Sequence, residues 1–205
     1  MTASDSNRSR IGIFGGSFNP PHAAHLIVAE FIRDQFDLER ILWIPSYNTP
    51  LKAPEDLAPM EDRFEMTRLA TCDNDRFEVS DVEIRRGGFS FTVDTLRGLQ
   101  EARPEIEFSL IVGMDNLREF ASWREPDEIL RRVPLIVYPR KGSDTFEVPR
   151  GISGSVSIAT APLVEISGTM IRERIRQGRS IRYMVPSAVE RHLRERRLYL
   201  RGEAI

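Results

Sequence analysis

The chain has one cysteine in 205 residues, so it can form neither an intramolecular disulfide nor a cysteine-rich zinc site. It has no apolar run near the roughly 18 residues of a membrane-spanning helix. The opening residues, MTASDSNRSR, contain no apolar stretch of the kind a secretory signal needs. Together these absences predict a protein of the reducing cytoplasm with no membrane partner. An excess of charge is missing as well. Lys and Arg total 29, Asp and Glu 31, and the net charge is -2. That balance argues against a general nucleic-acid coat protein. A hydrophobic fraction of 40% excludes a disordered chain. No internal repeat, low-complexity tract or clear linker breaks the sequence. A chain of this length buries roughly 70% of its unfolded surface, enough for one substantial core. Residues 1–9 read as a disordered leader and residues 10–205 as one domain.

What is present alternates. Arg10–Gly15 is a short apolar run ending in glycines and reads as a buried strand. Gly15–Pro21 is turn chemistry. From His22 to Phe36, Val28, Phe31, Ile32 and Phe36 recur at helical spacing on one apolar face. Arg40–Ile44 is a second strand, and Ser46–Pro59 a long Pro-rich loop. A helix follows at Glu61–Cys72, with Phe64 and Leu69 inward and Cys72 a buried small hydrophobe. Phe77–Ile84 reads as strand, Thr92–Ala102 as helix and Ile106–Val112 as strand. Glu125–Arg132 reads as helix, Pro134–Tyr138 as strand and Val156–Ala159 as a weak strand. Ser167–Gln177 and Pro186–Arg197 read as closing helices. The methionines look like core. This order predicts an α/β fold, a doubly wound parallel sheet with right-handed crossovers and a small C-terminal helical annex.

Gly15-Gly-Ser-Phe-Asn-Pro-Pro-His-Ala-Ala-His25 joins the first strand to the first helix. In an open parallel sheet ligands lie beyond the carboxyl ends of the strands. Glycines admit a phosphate close to the backbone, and a helix start offers free N–H groups and a positive dipole. His22 and His25, three apart, share a side of the helix and can donate to phosphate oxygens. The bland reading is a tight turn with two surface histidines. Only three histidines exist in the chain, and two are here. Neither GxGxxG nor a GK[ST] loop occurs, which removes the two commonest nucleotide motifs. At Ile166-Ser-Gly-Thr-Met-Ile-Arg172, Ser167 and Thr169 can cap a helix whose first turn carries Arg172. This is an anion site or an ordinary capped helix with an exposed arginine.

Ser90-Phe-Thr-Val-Asp-Thr95, Gly113-Met-Asp115 and Trp123-Arg124 all follow sheet elements and border one predicted crevice. Thr92 is a helix cap or a ligand contact. Trp123 is core or a flat face for an aromatic ring. Lys52 is a solvated loop lysine or a phosphate contact. The run Arg191–Arg201, interleaved with Glu190 and Glu195, reads as a solvated helix face with i,i+4 pairs. No cluster of carboxylates suggests a metal cage, so no protein-held metal is expected.

GGSFNPPHAAH resembles the (H/T)xGH signature of the nucleotidyltransferase α/β-phosphodiesterase superfamily, and its fuller form resembles the bacterial nicotinate-nucleotide adenylyltransferases. ISGTMIR resembles the ISSTxIR of that family. The resemblance runs from Ile11 to about Tyr199 and implies a Rossmann-like nucleotidyltransferase fold. It implies that nicotinate mononucleotide and ATP give deamido-NAD and pyrophosphate, with Mg²⁺ held by the ATP phosphates. It makes His22, His25 and Arg172 catalytic. ATP would meet Gly15, Gly16, Ser17, Phe18, His25, Lys52, Gly113, Asp115, Ser167, Thr169 and Arg172. The mononucleotide would meet Ser17, Asn19, His22, Lys52, Thr92, Trp123 and Arg140. The chain departs from the family pattern at Ala24, Leu51, Arg124 and Gly168. Another adenylyltransferase, taking nicotinamide mononucleotide or a phosphopantetheine, is the alternative enzyme. A non-catalytic nucleotide sensor is the alternative from another class. A homo-oligomer stays open.

Overall fold

The structure, a computed structural model, describes residues 8–48, 57–140, 148 and 152–200. Six strands form one sheet: β1 (Arg10–Gly16), β2 (Arg40–Pro45), β3 (Phe77–Val79), β4 (Glu107–Gly113), β5 (Leu135–Tyr138) and β6 (Val156–Ile158). All pairs are parallel, in the order β3-β2-β1-β4-β5-β6. The continuous apolar runs of β1, β2 and β4 follow from this, because a parallel sheet is covered on both faces. The helices are α1 (Ala23–Gln35), α2 (Met60–Thr71), α3 (Val82–Arg86), α4 (Thr92–Ala102), α5 (Met114–Arg118), α6 (Pro126–Arg132), α7 (Gly168–Arg176) and α8 (Ser187–Glu195).

Three apolar clusters hold these layers together. Ile13, Leu110 and Val112 point to the face covered by α4 and α6, where Leu96 and Ile129 are buried. Phe14, Trp43 and Ile111 point to the opposite face, covered by Val28, Ala29 and Ile32 of α1. A third cluster joins Met66 and Ala70 of α2 to Ile171 of α7 and to Val189 and Leu193 of α8. The C-terminal annex is therefore packed on α2. The strand order reverses between β1 and β4, the switch point where open α/β sheets bind ligands.

The doubly wound α/β expectation holds, and the local differences have physical causes. The stretch after Val79 turns into α3 instead of continuing as strand to Ile84. Its Glu83 is buried, which no exposed strand end would require. Phe31 is half exposed, because α1 buries the stripe Val28, Ala29 and Ile32. The inward face of α2 carries Asp62, Arg63, Met66 and Thr67, whereas Phe64 and Leu69 are half-buried. Cys72 caps the end of α2 and is exposed. Met170 is also exposed, since α7 turns Ile171 inward.

The basic C-terminal run divides in two. Arg194 pairs with Glu190 at i,i+4, 3.2 Å apart, as a solvated face predicts. Arg196 instead crosses to Asp62, with Nε donating at 2.9 Å, and His192 Nε2 meets the same carboxylate at 3.0 Å. Asp62 is buried, so these bonds are the polar dock between α2 and α8. Burial raises the Asp62 carboxyl, but the bonds from Arg196 and His192 outweigh it and hold the group below its ordinary value of 3.8. A depressed carboxylate stabilises the fold above its unfolded value, and this contribution is lost as pH falls through the folded one. Asp62→Ala is expected to cost about 2 kcal/mol at pH 7 in urea unfolding. The difference from the parent is expected to shrink below pH 4, and an equal loss at pH 7 and pH 3 would contradict the dock.

Candidate active site

At the switch point β1 leads into the Gly15–Pro21 turn and then α1. His22 is the N-cap of α1. Its ring stacks on that of His25, with centroids 3.7 Å apart and planes at 17°. Phe18 and Phe14 meet the His25 ring edge-on, at 5.3 and 5.9 Å. The backbone N–H of His22 donates to His25 Nδ1 at 3.3 Å. Nδ1 is thereby the acceptor, and a neutral His25 carries its proton on Nε2. His25 is a half-buried donor with its ring orientation set on three sides.

His22 differs from the expectation of a second surface imidazole. It is 2% exposed. Burial, reinforced by the nearby Arg140 cation, pushes it down from 6.5 to about 3. His22 is thus neutral at pH 7. Its Nδ1 is buried, and its side chain stands against the His25 backbone N–H in a capping box at the start of α1. The start of α1 also differs from expectation. The N–H of Ala23, predicted free for an anion, donates to the Met184 carbonyl at 2.9 Å. The annex, not a ligand, closes that donor.

The two sequence motifs meet. Arg172 Nη1 donates to the Asn19 carbonyl at 2.9 Å, and Nη2 donates to Thr169 Oγ1 at 3.3 Å. Arg172 Nε is buried and unpartnered. Ser167 is the N-cap of α7 and accepts from the Met170 N–H at 3.2 Å, as predicted. Thr169 lies inside the helix and faces Arg172, so it does not cap. Thr92 does not cap either: Phe91 is the N-cap of α4, with no side-chain cap bond. Gly168 explains its own departure from the family serine. A Cβ there would stand 2.7 Å from the Asn19 carbonyl oxygen. The side-chain oxygen of Asn19 accepts from the Ala58 N–H at 2.9 Å and from the Tyr199 hydroxyl.

Two cavities flank this junction. The first, of about 350 Å³, is lined by Gly15, Gly16, Ser17, Thr92, Trp123 and Arg124 among others. Its apolar wall is Ile13, Leu110 and Val112. A Cβ on Gly15 would meet nothing within 4 Å, so that backbone borders open space. Trp123 is half-buried, 5.3 Å from the Phe120 ring, and also lines this cavity. Arg124 stacks over the Phe91 ring at 4.8 Å and pairs with Asp94 at 3.4 Å. The second cavity, of about 360 Å³, is lined by Ala24, His25, Asp115, Arg140 and Ser167. Asp115 Oδ2 and Arg140 Nε are 3.4 Å apart there. Arg140 therefore lies with the residues expected to meet ATP, not beside Trp123. Phe18, Asn19, His22, Gly113, Thr169 and Arg172 line neither cavity. They pack behind the lining or join its parts. Lys52 and Leu51 lie outside the described residues.

Sequence reasoning missed Arg63 and Glu83, both buried. Arg63 is bonded to four backbone carbonyls. Its signal was a charged residue on the same helical stripe as Met66, Thr67 and Ala70.

The sequence profile of the cytidylyltransferase-like family matches residues 13–174. The chain is 50% identical over 190 residues to a probable nicotinate-nucleotide adenylyltransferase of Salinibacter ruber, covering 92% of this chain and 97% of that one. It is 42% identical over 205 residues to a probable nicotinate-nucleotide adenylyltransferase of a Synechococcus strain, covering 98% and 99%. Among solved structures, Plasmodium falciparum nicotinic acid mononucleotide adenylyltransferase complexed with NaAD shares the fold. Its TM-score is 0.76 at 19% identity, over 93% of this chain and 97% of that one. A putative nicotinate-nucleotide adenylyltransferase of Vibrio parahaemolyticus aligns with TM-score 0.67 at 21% identity, over 93% and 95%.

The buried neutral imidazole makes a pH prediction. Below about pH 6.5 the unfolded chain binds a proton at His22 that the folded chain refuses until about 3. Stability is expected to fall by about 1.4 kcal/mol per pH unit across that window from this group alone. In urea unfolding from pH 6 to pH 4, His22→Asn is expected to lower the slope by nearly one proton. Identical slopes would mean that His22 is not held neutral.

Proposed function

This chain belongs to the cytidylyltransferase-like family, in its nicotinate-nucleotide adenylyltransferase branch, and we infer that it performs that adenylyl transfer in NAD biosynthesis. ATP and nicotinate mononucleotide give deamido-NAD and pyrophosphate. The observation that carries the reading is the Arg172–Asn19 contact, which joins the two phosphate motifs between two cavities.

The acceptor's own phosphate supplies the nucleophile. It is largely ionised at pH 7, since its second ionisation lies near 6. Its oxygen attacks the α-phosphorus of ATP, a new P–O bond forms, and the bond to the β-phosphate oxygen breaks. The leaving pyrophosphate takes the electron pair. No proton has to be removed from the nucleophile, so the reaction demands position and charge stabilisation rather than a general base. The His25 Nε2–H is our donor to the α-phosphate as its charge builds, with His22 behind it. Arg172 and the Ser167–Thr169 helix start take the pyrophosphate, with Lys52 as a further cation. The Trp123 cavity takes the nicotinate ring, with Thr92 at its edge. The Asp115 cavity takes the adenosine.

Magnesium, which the family resemblance implies, would enter with the ATP phosphates and would neutralise part of their charge. Among the described residues no three His, Cys, Asp or Glu side chains gather as a ligand set. Among the same residues no helix is long and apolar enough to cross a membrane. We read residues 10–205 as one domain of a cytoplasmic enzyme.

His25→Ala is expected to lower the rate of pyrophosphate release at least about 100-fold, with little change in thermal stability. Near-normal turnover would sink the assignment. Trp123→Ala is expected to raise KM for the mononucleotide far more than KM for ATP. Equal effects on both would remove Trp123 from the ring pocket.

A further inference from the structure

The Trp123 cavity has a wall that the transfer chemistry leaves unused. Glu83 of α3 lines it and is buried. Its Oε1 accepts from the Thr95 hydroxyl at 2.7 Å, and its Oε2 accepts from the backbone N–H of Tyr47 at 3.3 Å. Arg86 Nη2 stands 3.9 Å away. The Ser90 hydroxyl accepts from the same Tyr47 N–H at 2.9 Å and from the Asn48 N–H at 3.3 Å. On the other side of this segment lies Arg63, 2% exposed. It donates to the carbonyls of Ala58 at 3.1 Å, Ser17 at 2.9 Å, Ser46 at 2.7 Å and Tyr47 at 3.1 Å.

Tyr47 is therefore gripped at both ends of its own backbone: an anion takes its N–H and a cation takes its carbonyl. Two buried charges oppose each other through one residue. Burying them is costly, and an apolar pair of similar volume often serves stability equally well. What apolar side chains cannot do is fix four carbonyls from three chain segments. A planar guanidinium with five donors can. Two of those carbonyls belong to Ser17 and Ser46, which line the Trp123 cavity. None of Glu83, Thr95, Ser46 and Ser17 lines the Asp115 cavity.

We propose that Glu83 and Arg63 are positioning residues for the acceptor mononucleotide, acting through the backbone of Ser17 and Ser46–Asn48. This rests on the reading of the Trp123 cavity as the acceptor site. Displacing the Ser46–Asn48 backbone misplaces the acceptor, because a shift of about 1 Å at a binding group is enough to weaken productive binding. Ser17, which the resemblance gives to both substrates, is held by Arg63 and not by Glu83.

Steady-state kinetics on the full chain test the proposal. Glu83→Ala is expected to raise KM for nicotinate mononucleotide about tenfold, with KM for ATP within about twofold. Glu83→Gln keeps an oxygen for the Tyr47 N–H and is expected to recover most of the loss. Arg63→Lys keeps the charge but not the fork, and because it also frees the Ser17 carbonyl it is expected to raise KM for both substrates. Glu83→Ala that raises both KM values equally, or neither while thermal stability falls, overturns the proposal and leaves a structural role. Mononucleotide binding without ATP, read by tryptophan quenching, separates this from failure of the functional reading. If the parent binds the mononucleotide without releasing pyrophosphate, the transfer reading fails. An unchanged Kd in Glu83→Ala then overturns the positioning role, and a Kd raised about tenfold supports it. A parent chain that neither binds nor turns over the mononucleotide overturns both.

Discussion

The site depends on one contact between segments 153 residues apart, the Arg172 guanidinium donating to the backbone carbonyl of Asn19. Everything near it is arranged to permit that approach. Gly168 has no Cβ where one would strike the Asn19 oxygen. Asn19 is held from behind by the Ala58 N–H and the Tyr199 hydroxyl. The apolar cluster of α2, α7 and α8 keeps Ile171, one residue from the guanidinium, fully buried. The annex is thus part of the active site's construction. It brings the second phosphate motif to the first and closes the first N–H of α1 with the Met184 carbonyl.

The charge balance of the whole chain, -2, says little about this place. Locally the buried groups include Arg63, His22 and the carboxylate of Glu83, which is tied to Thr95 and the Tyr47 N–H. Arg63 is bonded to carbonyl oxygens, and burial lowers its affinity for its proton. His22 is neutral because it is buried beside Arg140. Arg63 and Arg172 are fixed by backbone carbonyls rather than consumed by carboxylates, so little reorganisation accompanies the reaction. Asp115, a second and exposed carboxylate, pairs with Arg140 in the lining of the second cavity.

Much of this architecture was legible from residue order alone. Alternating strands and helices gave the parallel sheet, because period and turn chemistry are local properties. The resemblance singled out His22, His25, Trp123 and Arg172 as candidates. What remained hidden was whatever depended on contacts between distant segments. Composition reads Cys72 as core, yet only the packing of α2 decides which side it faces. The strand reading of Phe77–Ile84 failed where Glu83 turned inward to Thr95. Arg63 went unread because its partners are backbone carbonyls, and carbonyls have no sequence signature. Arg140 matched a motif, but its side of the crevice is set by where β5 ends. Three-dimensional accounting of buried donors and acceptors supplies these, and pattern does not.

The central claim is that one crevice joins an adenylyl group from ATP to a pyridine mononucleotide. Pyrophosphate release by the full chain with ATP, across three acceptors, tests it most directly. The acceptors are nicotinate mononucleotide, nicotinamide mononucleotide and a phosphopantetheine. The account predicts release with nicotinate mononucleotide well above the other two. Release led by the phosphopantetheine, or none with any acceptor, would contradict it.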